Sequence, residues 1–261
     1  MNKVDVRKPE RLARLDAPVP PLRRPPPRAV KVLLPVWGFS YVDQFLNYCL
    51  PTLLAPGNIP ALAAAFPTEF VLLTSADDEI YIRSHAAFRR LAACCKIEIR
   101  LIDHLIMDGN YSTTITLAYT EAVRYAGDAM LDTCFFFLVS DYVMADGSLA
   151  TAFKRVQGGA SAVVVGNFQV VREDALPWLQ ARLAASNDMP ALPARELMQW
   201  ALEHLHPCNV EKYGQHSIQP QLTYKSIVLA RGRNHNPRAL LPHAHALRAP
   251  RNDRFCHRFI L

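Results

Sequence analysis

No stretch of this chain approaches ~18 uninterrupted apolar residues, so it reads without a transmembrane helix. The amino-terminal end is basic and proline-rich and lacks the apolar centre of a secretory signal. The six cysteines, Cys49, Cys94, Cys95, Cys134, Cys208 and Cys256, form no CxxC pair. Most lie in apolar surroundings, where cysteine behaves as a small hydrophobe. That argues against zinc and disulfides, and for reduced thiols in a cytoplasmic compartment. No Gly-x-Gly-x-x-Gly follows the first apolar run, which argues against a dinucleotide dehydrogenase. Neither a Walker loop nor a Gly-x-Ser-x-Gly elbow is present. Without a helix-turn-helix, zinc-finger or aromatic RNA-binding pattern, nucleic acid is not an expected partner.

What is present is a chain of 261 residues, 51% hydrophobic, enough for one large α/β domain with tails. Its net charge of +6 is unevenly spread. Residues 1–30 carry eight Lys/Arg against three acids, and residues 231–261 carry seven Arg against one acid. The part between them is mildly acidic. The basic ends read as solvated tails that can touch an anionic membrane peripherally. The expected organisation is a Pro/Arg-rich tail over 1–29, an α/β domain over 30–230 and a basic irregular tail over 231–261. The Arg/His/Pro/Ala bias of that last tail also fits a reading frame shifted near Arg231.

Along the middle part, apolar runs alternate with helical spacing. Lys31–Val36 reads as a first strand, followed by the loop Trp37-Gly38-Phe39-Ser40. Val42, Phe45, Leu46, Cys49, Leu50, Leu53 and Leu54 recur with helical period until Pro56-Gly57-Asn58 stops them. Phe70–Thr74, Ile97–Asp103 and Cys134–Val139 read as strands two to four, and Ala162-Val163-Val164-Val165 opens a fifth. Helices are expected around Ile82–Cys95 and Thr114–Ala126, and after Ser148, the expected cap. Pro193 opens another helix running to Leu205, and Ile227-Val228-Leu229 is a last short strand. Strand and helix alternate at least four times, which predicts a mostly parallel sheet covered on both faces. Ligands of such sheets sit beyond the carboxyl ends of the strands. Trp37, Gly38, Asp77, Asp78, Asp103, Asp141 and Asp146 fall there.

The most informative stretch is Phe135-Phe136-Phe137-Leu138-Val139-Ser140-Asp141, an apolar run that ends on a carboxylate, with Asp146-Gly147-Ser148 close behind. Strand-end carboxylates suit hard divalent cations. Such a cation stabilises the charge that grows on a leaving diphosphate.

This stretch, and the order of elements around it, resembles glycosyltransferases of the GT-A fold. There an apolar strand runs into an Asp-x-Asp motif, followed by a glycine before a helix. Leu34-Pro35-Val36-Trp37-Gly38 with Tyr41 and Phe45 is similar to the first strand and helix of bacterial members. The resemblance covers about residues 31–172 and implies a Rossmann-like domain for a nucleotide-sugar donor and an unknown acceptor. It implies Asp141 as the catalytic and metal-holding acid, with Asp146 and His206 as further ligands of Mn²⁺ or Mg²⁺. It also implies Trp37, Gly38, Tyr41, Asp77 and Asp78 around the nucleoside. The first Asp of the motif falls on Val139, which cannot bind metal. His204 and His206 also read as helix-end residues suited to the dipole. Against the transferase stands a scaffold domain that keeps the fold without transfer, and a nucleotidyltransferase built on the same sheet.

Overall fold

Val30, Val32, Leu34 and Val36 face one way and Lys31 and Leu33 the other, so the first strand has two faces to cover. In the computed structural model, which describes residues 26–186, 190–207 and 209 and the strand 256–260, that strand is β1 (Ala29–Pro35). It pairs in parallel with β2 (Thr68–Thr74) on one side and β4 (Thr133–Phe137) on the other. β2 pairs in parallel with β3 (Lys96–Leu101), giving the order β3-β2-β1-β4. The expected mostly parallel α/β sheet is therefore present.

Alternate residues feed two separate cores. Val30, Val32 and Leu34 of β1 and Phe70 and Leu72 of β2 pack against Phe45, Leu50, Leu53, Phe88, Leu91 and Phe153. On the other face Leu33, Val71 and Leu73 meet Ala118 and Ala122. A one-residue slip would exchange these sets, so both faces lock the register. Burying one such Val or Leu side chain stabilises the fold by about 1.5–3 kcal/mol.

The helical stretch after β1 begins as α1 (Phe39–Gln44), widens into a π-helical turn at Phe45–Cys49, and ends as α2 (Leu50–Leu53). Pro51 explains the widening. Its ring would clash with the carbonyl one α-turn back, and a wider turn moves that carbonyl away. α3 (Ile59–Ala65) follows the Pro56-Gly57-Asn58 stop. Between β2 and β3 the expected single helix is two, α4 (Ala76–Ser84) and α5 (Ala86–Cys94), broken at extended His85. α6 (Tyr111–Arg124) returns the chain to β4.

After β4 come β5 (Tyr142–Met144), α7 (Ser148–Gln157), β6 (Asn167–Val171), α8 (Arg172–Ala185) and α9 (Ala194–Glu203). A second sheet has the order β5-β7-β6, where β7 is Cys256–Ile260. β7 runs parallel to β5 and antiparallel to β6. These five residues lie in the stretch read from sequence as irregular. Ile227-Val228-Leu229 and the region around Arg231 fall outside the described residues.

Three expectations are corrected. The fifth strand does not open at Ala162–Val165, which is exposed and outside both sheets, but later, at β6. Valines favour a pleated, half-buried surface, and without a pairing edge their propensity alone makes no strand. Ser148 is not the cap of α7. Gly147 takes that position, and the Ser148 hydroxyl donates back to the Ala145 carbonyl at 2.8 Å. β4 is shorter than Cys134–Val139 and only half-buried, because it is the edge strand of the first sheet.

Asn58, fully buried, ties the segment after β1 to the turn after β5. Its side-chain amide donates to the carbonyls of Thr52 (2.9 Å) and Ala145 (3.1 Å), and its oxygen accepts from Leu149 N–H (3.1 Å). Asp146 Oδ1 accepts from Gly57 N–H at 2.6 Å. Gly57 approaches so closely that a Cβ there would lie 2.6 Å from the Gly147 nitrogen. Asn58→Ala would leave the Leu149 N–H without its acceptor and take one donor each from the Thr52 and Ala145 carbonyls, and is expected to lower the unfolding free energy by on the order of 2 kcal/mol. Gly57→Ala should cost a comparable amount. Urea melts of both variants matching wild type would refute this account of the turn.

Cys49, Cys94, Cys95 and Cys134 are free thiols. Burial pushes Cys49 far up, with Asp141 adding to it. Burial also pushes Cys95, and likewise Cys134, from the usual 9.0 up to about 11. The fold therefore favours neutral thiols. That contribution is whole below about pH 9 and is lost as pH rises through about 11. Unfolding free energy is expected to fall between those pH values. At ~pH 8 these three thiols should resist alkylation in the native state and react on denaturation. Rapid native alkylation of Cys49 would contradict the reading.

Candidate functional site

The order β3-β2-β1-β4 places a reversal of winding between the parallel strands β1 and β4. From β1 the chain winds outward through β2 and β3, then crosses back to β4 on the opposite side. In open α/β sheets such a switch point leaves a crevice at the strands' carboxyl ends. Two loops flank it here: Val36–Gly38 after β1, and Leu138–Asp141 after β4.

The first loop is held from below. Gly38 takes φ 80°, a conformation that disfavours other residues, and its N–H donates to Asp78 Oδ2 at 2.7 Å. The same oxygen accepts from the Ser75 hydroxyl. Asp78 is buried in the first turn of α4, where the helix dipole favours a carboxylate. Its role is thus to pin the loop after β1 to the end of β2. Asp77 beside it is exposed. Asp103, after β3, accepts from Ala76 N–H at 3.2 Å through both oxygens and joins the third strand end to the same helix start.

Above that clamp stands an aromatic wall. The rings of Trp37 and Tyr111 lie 6.3 Å apart, and those of Tyr41 and Tyr111 6.2 Å apart. Trp37 and Tyr41 are half-buried and Tyr111 is exposed. The Tyr41 phenol is pushed up by burial, by Tyr111 and by Asp141. The Tyr119 phenol is pushed up strongly by burial, then by Tyr142 and Asp141, and its hydroxyl donates to the Leu138 carbonyl. Asp141 thus lies close to Tyr41, Tyr119 and Cys49, half-buried in the turn between β4 and β5. The Cys49 thiol faces the Val139 carbonyl at 3.9 Å, bracing that turn against the π-helical segment.

Trp37, Gly38, Tyr41 and Asp141 are therefore gathered at one rim, with Asp78 beneath them. Tyr111 and Tyr119 belong to the same neighbourhood, and sequence reasoning misses them because their spacing within α6 reads as ordinary amphipathic helix. The other proposed ligands lie in other settings. Asp146 turns a carboxylate oxygen to Gly57 in the structural turn described above. His206 follows α9, where its backbone N–H donates to the Gln169 carbonyl of β6 at 2.8 Å. His204 ends α9 and stacks on Trp200, ring centroids 4.1 Å apart. Among the described residues no group of three His, Cys, Asp or Glu gathers in a way that could hold a metal ion. The cation implied by the resemblance thus finds no such set among them. No described helix is long and apolar enough to cross a membrane.

No family model, curated protein or solved structure matches this chain.

If Asp78 pins the loop, Asp78→Ala should cost about 2 kcal/mol of stability, since a buried carboxylate accepting two hydrogen bonds is lost. Asp77→Ala should stay within ~0.5 kcal/mol, as exposed substitutions usually do. Denaturant unfolding of the two variants separates them, and equal effects would reverse the assignment.

Proposed function

We propose that the chain binds a nucleoside-diphosphate sugar in the crevice between β1 and β4, as a glycosyltransferase-like domain. One observation carries this reading: Asp141 stands at the strand-order reversal, close to an aromatic wall built on the loop after β1. Trp37, Tyr41 and Tyr111 offer ring faces on which a base can stack, each stacked base being worth about 1–3 kcal/mol in aromatic nucleic-acid sites. Gly38 carries no side chain to keep a ligand from the loop's backbone, and Asp78 keeps the loop in place. Asp141 sits where the diphosphate and departing sugar would lie. There it would hold the positive charge that offsets the growing negative charge, and such electrostatic positioning is commonly the largest catalytic term. The acceptor is unknown.

The second reading is a domain that binds the nucleotide without transferring the sugar. Val139 at the first position of the acidic motif favours it, since Asp141 is then the one carboxylate that motif supplies. Calorimetry with UDP, GDP and CMP, with and without Mn²⁺, tests both. At least one nucleotide should bind, and Asp141→Ala should weaken it tenfold or more, roughly 1.4 kcal/mol. Silence across the panel, or indifference to the substitution, would remove the nucleotide reading. Binding without consumption of any sugar nucleotide would favour the second reading over transfer.

A further inference from the structure

β4 ends the first sheet on one side, and its outer edge has no partner strand among the described residues. Leu138 N–H donates to the Leu33 carbonyl of β1 at 3.0 Å, and alternation along the strand turns Phe136 and Cys134 the same way. The N–H and C=O groups of Phe135 and Phe137 therefore point to the outer edge. They make no backbone hydrogen bond among the described residues. The Phe137 side chain is uncovered as well, at 52% exposure.

The stretch Ala162–Val165 has the complementary lack. It lies outside both sheets, Val164 is 68% exposed, and its three valines make no backbone hydrogen bond among the described residues. It lines the same cavity of about 570 Å³ as Phe135 and Phe137. Glycines bound it, Gly158 and Gly159 before and Gly166 after, with Gly159 at φ 98°. Residues 160–166 can span about 23 Å when stretched, and a strand of the length of β4 measures about 16 Å.

The chemistry of the edge selects among occupants. A hydrocarbon in the cavity would leave the Phe135 and Phe137 amides without acceptors, which is unfavourable for buried polar groups. A separate strand must give up its translational and rotational freedom on binding. A tethered stretch gives up far less, because the chain already holds it at high effective concentration.

We propose that Ala162–Val165 is a strap that swings on its flanking glycines and adds itself to the outer edge of β4. The structure shows the strap open. Closed, its carbonyls accept from the Phe135 and Phe137 amides, and its valines cover the phenylalanine rings. β-Branched side chains suit the pleated surface they would join. A closed strap also denies that edge to strands of other molecules. The device is independent of what the crevice at Asp141 binds.

Amide hydrogen exchange followed by NMR on the full chain tests this, with β4 as its own control. The amides of Phe136 and Leu138 are bonded to β1 and should be protected whatever the strap does. Those of Phe135 and Phe137 should also be protected, by about tenfold or more over an unstructured peptide. Val163→Pro and Val164→Pro are both made, because consecutive N–H groups point to opposite sides of a strand and one of the two faces β4. At least one of them should abolish the protection of Phe135 and Phe137 and leave Phe136 and Leu138 unchanged. The same variant should brighten 8-anilinonaphthalene-1-sulfonate, which reports uncovered apolar surface. Val164→Thr, which keeps the β-branch and the donor, should behave as wild type. Both valines are exposed in the open arrangement, so the prolines remove no core contact. Free-peptide exchange of Phe135 and Phe137 in the wild type would overturn the strap. Protection untouched by either proline would do the same. Protection that grows with protein concentration would assign the edge to a second copy and equally overturn it.

Discussion

The contact on which the molecule turns is the buried amide of Asn58. It and its neighbours Thr52 and Gly57 form the bridge from the segment after β1 to the segment around β5. Thr52 Oγ1 accepts from Met144 N–H at 3.1 Å, Asn58 holds Ala145 and Leu149, and Gly57 holds Asp146. The two sides of the crevice arise from distant stretches of chain. This row of hydrogen bonds joins them, and it supplies acceptors for the N–H groups of Met144, Leu149 and Gly57. A buried polar network of this kind admits one arrangement, where an apolar contact would tolerate several.

Much of the first sheet is legible in the sequence because its strands write their burial directly. Val32–Leu34, Phe70–Leu73 and Phe135–Phe137 are apolar runs of strand length, and the turns between them carry Gly, Pro or Asp. The misreadings have one physical root: pairing is decided in three dimensions. Val163-Val164-Val165 has the composition of a strand but no place in either sheet, whereas Asn167–Val171 has a partner and only moderate propensity. The strand at Cys256–Ile260 is invisible in sequence for the same reason. Nearby Asn252 and Arg254 break any pattern, and what makes it a strand is the pair of edges offered by β5 and β6.

The site is less legible than the fold. Asp141, Trp37, Gly38 and Tyr41 can be read because they follow apolar runs closely, and strand ends converge. Asp77 and Asp78 look equivalent in sequence, yet helical geometry turns Asp78 beneath the Gly38 loop and Asp77 to solvent. Tyr111 and Tyr119 both lie on α6, and nothing in that helix distinguishes them from packing residues. Asp146 is the converse case: a carboxylate in a suggestive place whose work is to close a turn on Gly57.

Phe135 and Phe137 of β4 line a cavity of about 570 Å³ together with Leu149 and the 160–165 stretch. Phe137, Val163, Val164 and Val165 are exposed there. An edge strand with open backbone groups and aromatic side chains is a template that a like strand from another molecule can extend. No lysine or proline interrupts Thr133–Phe137 to discourage such growth. Among the described strands this border is where growth between copies would start, and a single charged residue introduced there would act as a gatekeeper.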